Sequence, residues 1–330
     1  MFKNKSILIT GGTGSFGKAF IRYLLRKKFP LRRIIIFSRD ELKQHEMNQD
    51  EIFNENKNKQ LRYFIGDIRD QERVKQALKD VDYVIHAAAL KQVPAAEYNP
   101  QEFIKTNVIG TQNIVNACLD SNVQKAILLS TDKASSPINL YGASKLCADK
   151  LFTSANNIVG KKKISFSVVR YGNVMGSRGS VIETFLKQKQ KKEITITHPE
   201  MTRFNIFLDQ AVEMVLWSLK NCKGGEIVVP KIPSFKVTDL AKSFGKNIKI
   251  RIIGTRPGEK IHEEMISTYD SVNTIELKNY FMIIPNHLEN FYSKNKIGKK
   301  FKNNQSYNSK TNDNFLSISD LRKIIQKFEK

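Results

Sequence analysis

A tyrosine and a lysine four positions apart are well suited to acid–base chemistry on an alcohol. Tyr141 and Lys145 lie in the segment Tyr-Gly-Ala-Ser-Lys, and their spacing places both side chains on one face of a predicted helix. The ammonium group can lower the pKa of the phenol and hydrogen-bond a ribose. Such a pair occurs by chance in many helices, so its surroundings decide its meaning.

Polar residues just before this helix extend the candidate catalytic set. Thr131, Asp132 and Lys133 follow a predicted strand that ends at Ser130. By residue type alone, a lysine in a polar loop is a solvated surface residue. The position of Lys133 between a strand end and Tyr141 instead favours a catalytic role.

A glycine pattern after the first predicted strand indicates a dinucleotide-binding loop. Glycines at three-residue spacing open a helix that is predicted to begin near Ser15. They permit a tight turn and close backbone approach, and the helix N-terminus offers unpaired N–H groups to a pyrophosphate. The strand-to-helix context favours this reading over a plain structural turn. The predicted contacts are Gly11, Thr13, Gly14, Ser15, Phe16 and Gly17.

The end of the second predicted strand indicates which dinucleotide binds. Ser38 and Arg39 occupy the place where an acidic residue would meet a free 2′-hydroxyl, and Lys43 follows one helical turn later. Arginine there favours a 2′-phosphate and therefore NADP. The alternative is that Arg39 pairs with Asp40 or Glu41 at a solvated helix start. Further predicted cofactor contacts after the third and fourth strands are Asp67, Ile68 and Ala87.

The elements that position these residues alternate between short β-branched runs and helical segments. The predicted strands are 6–10, 33–37, 61–65, 83–86, 126–130 and 164–170. This alternation predicts an α/β, Rossmann-type doubly wound parallel sheet, with ligands beyond the carboxyl ends of its strands. Residues 1–170 form the predicted NADP-binding domain.

Residues 171–330 are predicted to form a smaller, mainly substrate-binding region, with room for some of its segments to return to the first domain. Helices are expected over 208–219, 237–244 and 319–328, and a strand over 226–229. The Lys- and Asn-rich stretch 294–314 has few apolar anchors, which predicts a mobile loop.

Composition narrows the functional classes. The net charge is +23, but the lysines are scattered and no nucleic-acid-binding motif accompanies them, so no nucleic-acid partner is expected. The apolar runs are too short to cross a bilayer, and the N-terminus lacks a secretory signal, which predicts a cytoplasmic protein. The three cysteines lack metal-like spacing, so neither a metal site nor a disulfide framework is expected.

Taken together, these motifs resemble the extended short-chain dehydrogenase/reductases over nearly the whole chain. Within that superfamily they look like the inverting UDP-N-acetylglucosamine 4,6-dehydratases, which begin pseudaminic acid biosynthesis. The matching segments are 38–44, 87–91, 131–134, 137–145, 170–174, 176–181 and 256–260.

The resemblance implies a redox-neutral dehydration with NADP that inverts carbon 5 of the sugar. Tyr141 would take the 4-hydroxyl proton, with Thr131 in support. Lys133 would remove the proton from carbon 5 if burial or nearby Lys145 favours its neutral form, and Asp132 would help to protonate the leaving 6-hydroxyl. Retaining dehydratases of the superfamily carry Asp-Glu where this chain has Asp-Lys.

The resemblance also implies binding residues and assembly. The implied substrate contacts are Lys91, Asn173, Arg178, Gly179, Ser180, Val181, Thr195, Arg203, Arg256 and Glu259. The additional cofactor contacts are Lys91, Tyr141, Lys145 and Val174. A homo-oligomer, either a dimer or a hexamer, is expected.

Two other functions stay open. A nucleotide-sugar 4-epimerase shares the fold and the Tyr/Lys pair, but it needs no acid or base at carbons 5 and 6. A non-catalytic NADP-binding regulator would typically lose the Tyr/Lys pair, which is intact here.

Overall fold

The computed structural model describes residues 1–177 and 179–328. Its strands are β1 (Lys5–Thr10), β2 (Leu31–Ser38), β3 (Leu61–Ile65), β4 (Tyr83–His86), β5 (Lys125–Thr131), β6 (Ser165–Tyr171), β7 (Asn173–Val174), β8 (Glu193–Ile196), β9 (Thr202–Ile206), β10 (Ile227–Pro230), β11 (Ser234–Lys236), β12 (Lys249–Ile252), β13 (Glu264–Ile266), β14 (Thr274–Glu276), β15 (Tyr280–Ile283), β16 (Lys299–Lys300) and β17 (Tyr307–Asn308).

The α-helices lie between these strands and at the C-terminal end. They are α1 (Ser15–Arg26), α2 (Glu41–Gln49), α3 (Gln71–Ala77), α4 (Val93–Tyr98), α5 (Pro100–Phe103), α6 (Gly110–Leu119), α7 (Leu140–Ser154), α8 (Val181–Lys189), α9 (Leu208–Asn221), α10 (Val237–Ser243), α11 (Thr268–Ser271), α12 (Glu289–Lys294) and α13 (Ile318–Gln326). A π-helix spans Ile104–Ile109, and one 3₁₀ turn covers Asp132–Ala134.

A large sheet has the strand order β16-β14-β15-β10-β6-β5-β4-β1-β2-β3. Neighbours from β10 to β3 run parallel, whereas β14, β15 and β16 add antiparallel pairs at one edge. Its central strands are almost continuously apolar, as expected for a sheet covered by helices on both faces. The predicted α/β Rossmann-type fold is confirmed.

Segments beyond residue 170 contribute to both parts of the molecule. β10 pairs with β6, with Ile227 opposite Val168, and so extends the large sheet. A second apolar core packs α8, α10 and α13 together through side chains such as Phe185, Leu240 and Leu321. The domain boundary at residue 170 stays a prediction.

The expectation of a loop with few anchors over 294–314 is wrong, because β16 pairs with β14 and Phe301 packs against Phe281. β17 pairs with β13, and the hydroxyl of Tyr307 both accepts from Ile232 N and donates to Ile232 O, at 3.0 Å each. The ring of Tyr307 also packs against Phe204 and Phe281. These contacts come from distant parts of the chain, so local composition did not reveal them.

The part of the chain that the structure describes contains no helix with the length and apolar character needed to cross a membrane. Within the same residues, no cluster of His, Cys, Asp and Glu side chains has the arrangement of a metal site.

A buried ion pair joins α7 to the sheet. Arg170 Nη2 lies 3.1 Å from Asp149 Oδ2, and both side chains are almost fully buried. Arg170 Nη1 also donates to the Met265 carbonyl at 3.0 Å and lies 3.3 Å from Asp270 Oδ2. The arginine therefore ties together three segments that are far apart in the sequence.

We expect Asp149→Ala to lower the free energy of unfolding by about 3 kcal/mol, because it leaves the buried Arg170 charge without its closest partner. Urea unfolding monitored by circular dichroism measures this loss. The control is Glu193→Ala, which removes the surface partner of Arg251 and should cost far less stability, because solvent screens that pair. Equal losses in the two variants would contradict the assigned role.

Candidate active site

A cleft of about 470 Å³ opens at the carboxyl ends of β1, β2, β3 and β4. It is lined by Gly11, Thr13, Gly14, Ser15, Lys18, Phe37, Ser38, Arg39, Asp40, Lys43, Gly66, Asp67, Ile68, Ala87, Ala88, Ala89, Leu90 and Thr106. Most of the predicted cofactor contacts therefore share one cavity. Lys18, which the sequence reasoning missed, follows Gly14 by one helical turn and could have been found from that spacing.

The glycine loop fits tightly between β1 and α1. Gly11 adopts a φ of +66°, and a Cβ there would lie 3.0 Å from both N and Cα of Ala88. A Cβ on Gly17 would overlap the carbonyl oxygen of Gly12. Phe16 turns away from the loop and stacks on Phe20 at 5.7 Å. The loop backbone and the N-terminus of α1 are thus left open toward the cleft.

The cationic side chains at the end of β2 have different partners. Lys43 pairs with Asp40, which also accepts from Lys43 N and so caps α2. Arg39 is 55% exposed, and its Nη1 lies 4.0 Å from Asp67 Oδ2. Asp67 is held mainly by Arg69, at 2.8 Å. Arg39 is therefore only loosely engaged at the rim of the cleft.

A buried histidine fixes the loop after β4. Thr10 Oγ1 accepts from Ala87 N and Ala88 N, so its proton is directed to His86 Nδ1 at 2.7 Å. His86 Nε2 then faces Thr111 Oγ1 at 3.1 Å. Burial lowers the pKa of His86 to about 3, so the ring stays neutral. The small residues that line the cleft are held in place by this chain of hydrogen bonds.

An asparagine in the π-helix connects this loop to the catalytic helix. Asn107 Oδ1 accepts from Leu90 N at 2.8 Å, and its Nδ2 donates to Leu90 O and to Ser144 Oγ. Ser144 Oγ in turn donates to the carbonyl of Tyr141 at 2.8 Å. These hydrogen bonds therefore fix the position of Tyr141 relative to the wall of the cleft.

The predicted catalytic residues meet where β5 ends and α7 begins. Thr131 Oγ1 donates to Asp132 Oδ1 at 2.9 Å, and Lys133 Nζ donates to the same oxygen at 3.0 Å. Asn139 caps α7 by accepting from Gly142 N. A Cβ on Gly142 would overlap the Lys133 carbonyl oxygen. Glycine after the tyrosine thus allows the helix to lie directly against the Asp132–Ala134 turn.

The tyrosine and the two lysines have distinct electrostatic environments. Burial raises the pKa of Tyr141 to about 12, although Lys133 and a hydrogen bond with Thr131 act to lower it. Burial lowers the pKa of Lys145 to about 8, and its Nζ donates to the Leu129 carbonyl at 2.8 Å. The cation that lowers the pKa of the phenol in this structure is therefore Lys133.

The expected role of Lys133 as a base requires that the site favour its neutral amine, but the site favours the charged ammonium form. Burial acts to lower the pKa of Lys133, but Asp132 and a second carboxylate, Glu263, outweigh this effect and raise the pKa above its ordinary value. Glu263 Oε1 lies 3.0 Å from Lys133 Nζ. Sequence reasoning missed Glu263, although it lies three residues after the recognised segment 256–260.

Several predicted substrate residues gather beyond β6. Asn173 lies opposite Asn205 in register, and the side-chain oxygen of each is buried without a hydrogen-bond partner among the described residues. Gly179 N donates to Glu183, while Ser180 and Val181 begin α8. Arg178 lies outside the described residues. The unpaired amide oxygens offer acceptors for a polar ligand.

Other predicted substrate residues have protein partners. Arg203 is buried, and its fork donates to the carbonyls of Thr202, Lys260 and Ile261 at 2.7–3.0 Å. It therefore holds the loop around Gly258, and its contact with substrate stays a prediction. Arg256 and Glu259 form the turn of that loop, through Arg256 N and Glu259 Oε2 at 3.2 Å.

Two more residues complete the predicted set. Thr195 lies on β8, where its hydroxyl accepts from Gln188 at 2.8 Å. Lys91 follows Leu90 at the cleft and is attracted electrostatically by Glu183. Their roles in binding also stay predictions.

Comparison with known proteins identifies the family. The polysaccharide biosynthesis protein family matches residues 7–285. The chain belongs to this family. It is 52% identical to a UDP-N-acetylglucosamine 4,6-dehydratase (inverting) of Campylobacter jejuni strain 81-176, over 100% of this chain and 99% of the relative.

Two further similarities are to an epimerase and to a solved structure. The chain is 44% identical to a UDP-glucose 4-epimerase of Rickettsia akari, over 86% of this chain and 84% of the relative. The X-ray structure of Pen from Bacillus thuringiensis matches with a TM-score of 0.88 at 39% identity, over 99% of both chains. The resemblance predicted from the motifs is confirmed.

We expect Lys145 to titrate near pH 8 in the folded chain without added ligand, below its ordinary value of 10.5. The unfolded chain then binds more protons between these two values, so the contribution of this group to stability grows as pH rises through that range. Carbon-13 NMR of lysine labelled at Cε measures the pKa. Lys145→Met should remove the early titration, and a spectrum in which every lysine titrates above pH 10 would contradict this result.

Proposed function

We propose that the protein is a UDP-N-acetylglucosamine 4,6-dehydratase that inverts carbon 5, and that it produces the 4-keto-6-deoxy sugar nucleotide from which pseudaminic acid synthesis starts. The full-length similarity to the Campylobacter enzyme supports the substrate and the reaction. The observation that carries the proposal is the pairing of Asp132 with Lys133 beside Tyr141. Elimination across carbons 5 and 6 needs such an acid and base, whereas epimerisation at carbon 4 does not.

Tyr141 is the proposed acceptor of the 4-hydroxyl proton. Its high pKa in the buried site means that ionisation depends on neighbouring positive charge, which Lys133 supplies. Thr131 assists when its one hydroxyl proton turns from Asp132 Oδ1 to the phenolate. Lys145 lies on the same helix face and is proposed to bind the ribose next to the reacting carbon.

Lys133 and Asp132 are the proposed base and acid of the elimination. Once carbon 4 is a ketone, the proton on carbon 5 becomes acidic, and Lys133 takes it in its amine form. Asp132 gives a proton to the 6-hydroxyl, which leaves as water. Burial raises the pKa of Asp132 more than Lys133 lowers it, so a protonated Asp132 is accessible in this site.

The proposed cofactor is NADP, and the cleft supports a dinucleotide. Gly11 and Gly17 allow close backbone approach, Ala87 and its neighbours present small side chains, and the N-terminus of α1 faces the cavity. Loosely held Arg39, with Lys43 beside it, suits a 2′-phosphate. A bound nicotinamide dinucleotide supplies the transient two-electron acceptor of this redox-neutral reaction.

The proposed substrate contacts lie beyond β6 and in the 256–259 turn. Asn173 has an unpaired buried oxygen, and Arg256 is exposed at the turn, so these two are the favoured contacts for the sugar and the diphosphate. Assembly into a dimer or hexamer is proposed from the resemblance alone.

A nucleotide-sugar 4-epimerase is the second candidate, because the chain also shares 44% identity with the Rickettsia relative. An epimerase needs the cofactor cleft and the Tyr/Lys pair, and both are present. It does not account for the Asp132–Lys133 pair.

We expect the purified protein to convert UDP-N-acetylglucosamine in heavy water into a sugar that carries a new 6-methyl group, a 4-ketone or its hydrate, and deuterium at an inverted carbon 5. A proton NMR time course measures this conversion. A gluco-to-galacto change without methyl formation would instead establish the epimerase. The matched control is Tyr141→Phe, which should abolish either reaction.

We expect Arg39→Ala to reduce the preference for NADP over NAD by about tenfold, because a charge-assisted hydrogen bond to the 2′-phosphate is lost. Isothermal titration calorimetry with each dinucleotide measures the preference. Arg32→Ala, at the opposite end of the same strand, is the matched control and should leave it unchanged. A wild-type protein that binds NAD as tightly as NADP would overturn the NADP proposal.

A further inference from the structure

Three buried or partly buried groups beside Tyr141 form one charge cluster. Lys133 Nζ lies 3.0 Å from both Asp132 Oδ1 and Glu263 Oε1. Each carboxylate side chain is 1% exposed, and that of Lys133 is 22% exposed. One ammonium group thus faces two carboxyl groups, although it needs only one counter-ion.

The surroundings decide which carboxyl group stays ionised. Arg203 Nε lies 3.7 Å from Glu263 Oε1, so Glu263 faces a second cation. Lys260 is a third nearby positive charge, anchored by its Nζ to the Ser135 carbonyl at 2.7 Å. Among the described residues, Asp132 accepts hydrogen bonds from Thr131 and Lys133 alone. The anion is therefore better stabilised on Glu263.

The directions of the two pKa shifts agree with this geometry. Burial acts to raise the pKa of Glu263, but Lys133 and Arg203 bring it below its ordinary value. The pKa of Asp132 is raised by burial, and the charge of Glu263 adds to this effect. Asp132 Oδ2 and Glu263 Oε2 are both buried without a hydrogen-bond partner among the described residues, so each carboxyl group has an oxygen that can carry a proton. The positive charges around Glu263, and not this feature, place the resting proton on Asp132.

Glu263 itself is held in place by the backbone around it. Glu263 N donates to Ser309 Oγ at 2.9 Å, and Ser309 N donates to Glu263 O at 2.7 Å. The next residue, Glu264, accepts from Ser135 and Ser136, just after the Asp132–Ala134 turn. The glutamate is therefore positioned by the substrate-side strand β13 and by the segment that contains β17.

We propose that Glu263 is a positioning residue of the elimination step, which serves as the counter-ion and proton acceptor of Lys133 and so leaves Asp132 protonated for the departing hydroxyl. This role rests on the proposed dehydratase function. Lys133 passes its ammonium proton to Glu263. This transfer is uphill, because the pKa of Lys133 is raised and that of Glu263 is lowered in the resting site, so the amine of Lys133 forms only transiently. The resulting amine takes the proton from carbon 5, the C6–O bond breaks, and the leaving hydroxide takes the Asp132 proton to become water. Protons and charges balance without any further reactant.

The test is Glu263→Gln in the cofactor-loaded full-length enzyme. Glutamine keeps the shape but can neither balance the charge of Lys133 nor accept its proton, so Asp132 must remain ionised as the counter-ion. We expect product formation to fall on the order of 100-fold, as for the loss of acid–base catalysis. Oxidation at carbon 4 should persist, so the absorbance of reduced nicotinamide should build up after substrate is mixed in. Glu263→Asp should restore part of the rate.

The controls separate this role from a structural one and from failure of the proposed function. Glu226→Gln alters another fully buried carboxylate, which binds the turn before β10, and should cost stability without build-up of reduced nicotinamide. If wild-type protein forms no 6-methyl product, the dehydratase proposal fails. If wild-type protein is active and Glu263→Gln matches its rate, or loses oxidation and elimination equally, the role of Glu263 is overturned.

Discussion

The structure depends on a parallel sheet whose central strands all end at the same edge. The carboxyl ends of β1, β2, β4, β5 and β6 deliver the glycine loop, Arg39, the loop after His86, Asp132 and the segment after Tyr171 to that edge. Side chains from separate stretches of sequence thereby meet without irregular backbone in the core. The antiparallel strands β15, β14 and β16 extend the sheet sideways beyond β10 and leave this arrangement unchanged.

Close backbone contacts fix the positions of the loops at the carboxyl ends of the strands. Gly11 lies against Ala88, and Gly142 lies against the carbonyl of Lys133, where no side chain would fit. The histidine and asparagine hydrogen bonds then lock the loop between these two contacts. The cleft proposed for a dinucleotide and the turn with the proposed acid–base groups are thereby held side by side, as the proposed two-electron transfer coupled to proton transfers requires.

Local sequence patterns predicted some of the site residues and did not reveal others. Tyr141, Lys145 and the glycine loop could be identified because their spacing is meaningful within one turn or helix. Glu263 could not, because only the folded chain brings it to Lys133. The segment 294–314 was misjudged for the same reason, since Tyr307 gains its packing from Phe204 and Phe281. Arg203 was expected at the substrate from the family resemblance, whereas the structure shows its fork occupied by backbone carbonyls.

The hydrogen bonds between Glu263 and Ser309 have a consequence for the order in which the protein folds during translation. The first six strands and the catalytic helix are synthesised well before Ser309 emerges. Translation at about 5–20 residues per second leaves the early half of the fold waiting for several seconds. The neighbour of β6 in the sheet, β10, is missing until residue 230 has been added, and Lys133 lacks its second carboxyl partner until residue 263 has been added. The hydrogen bonds that hold Glu263 in place form only after Ser309 follows. A nascent chain can thus form its nucleotide cleft early, while the acid–base cluster is assembled only near the end of synthesis.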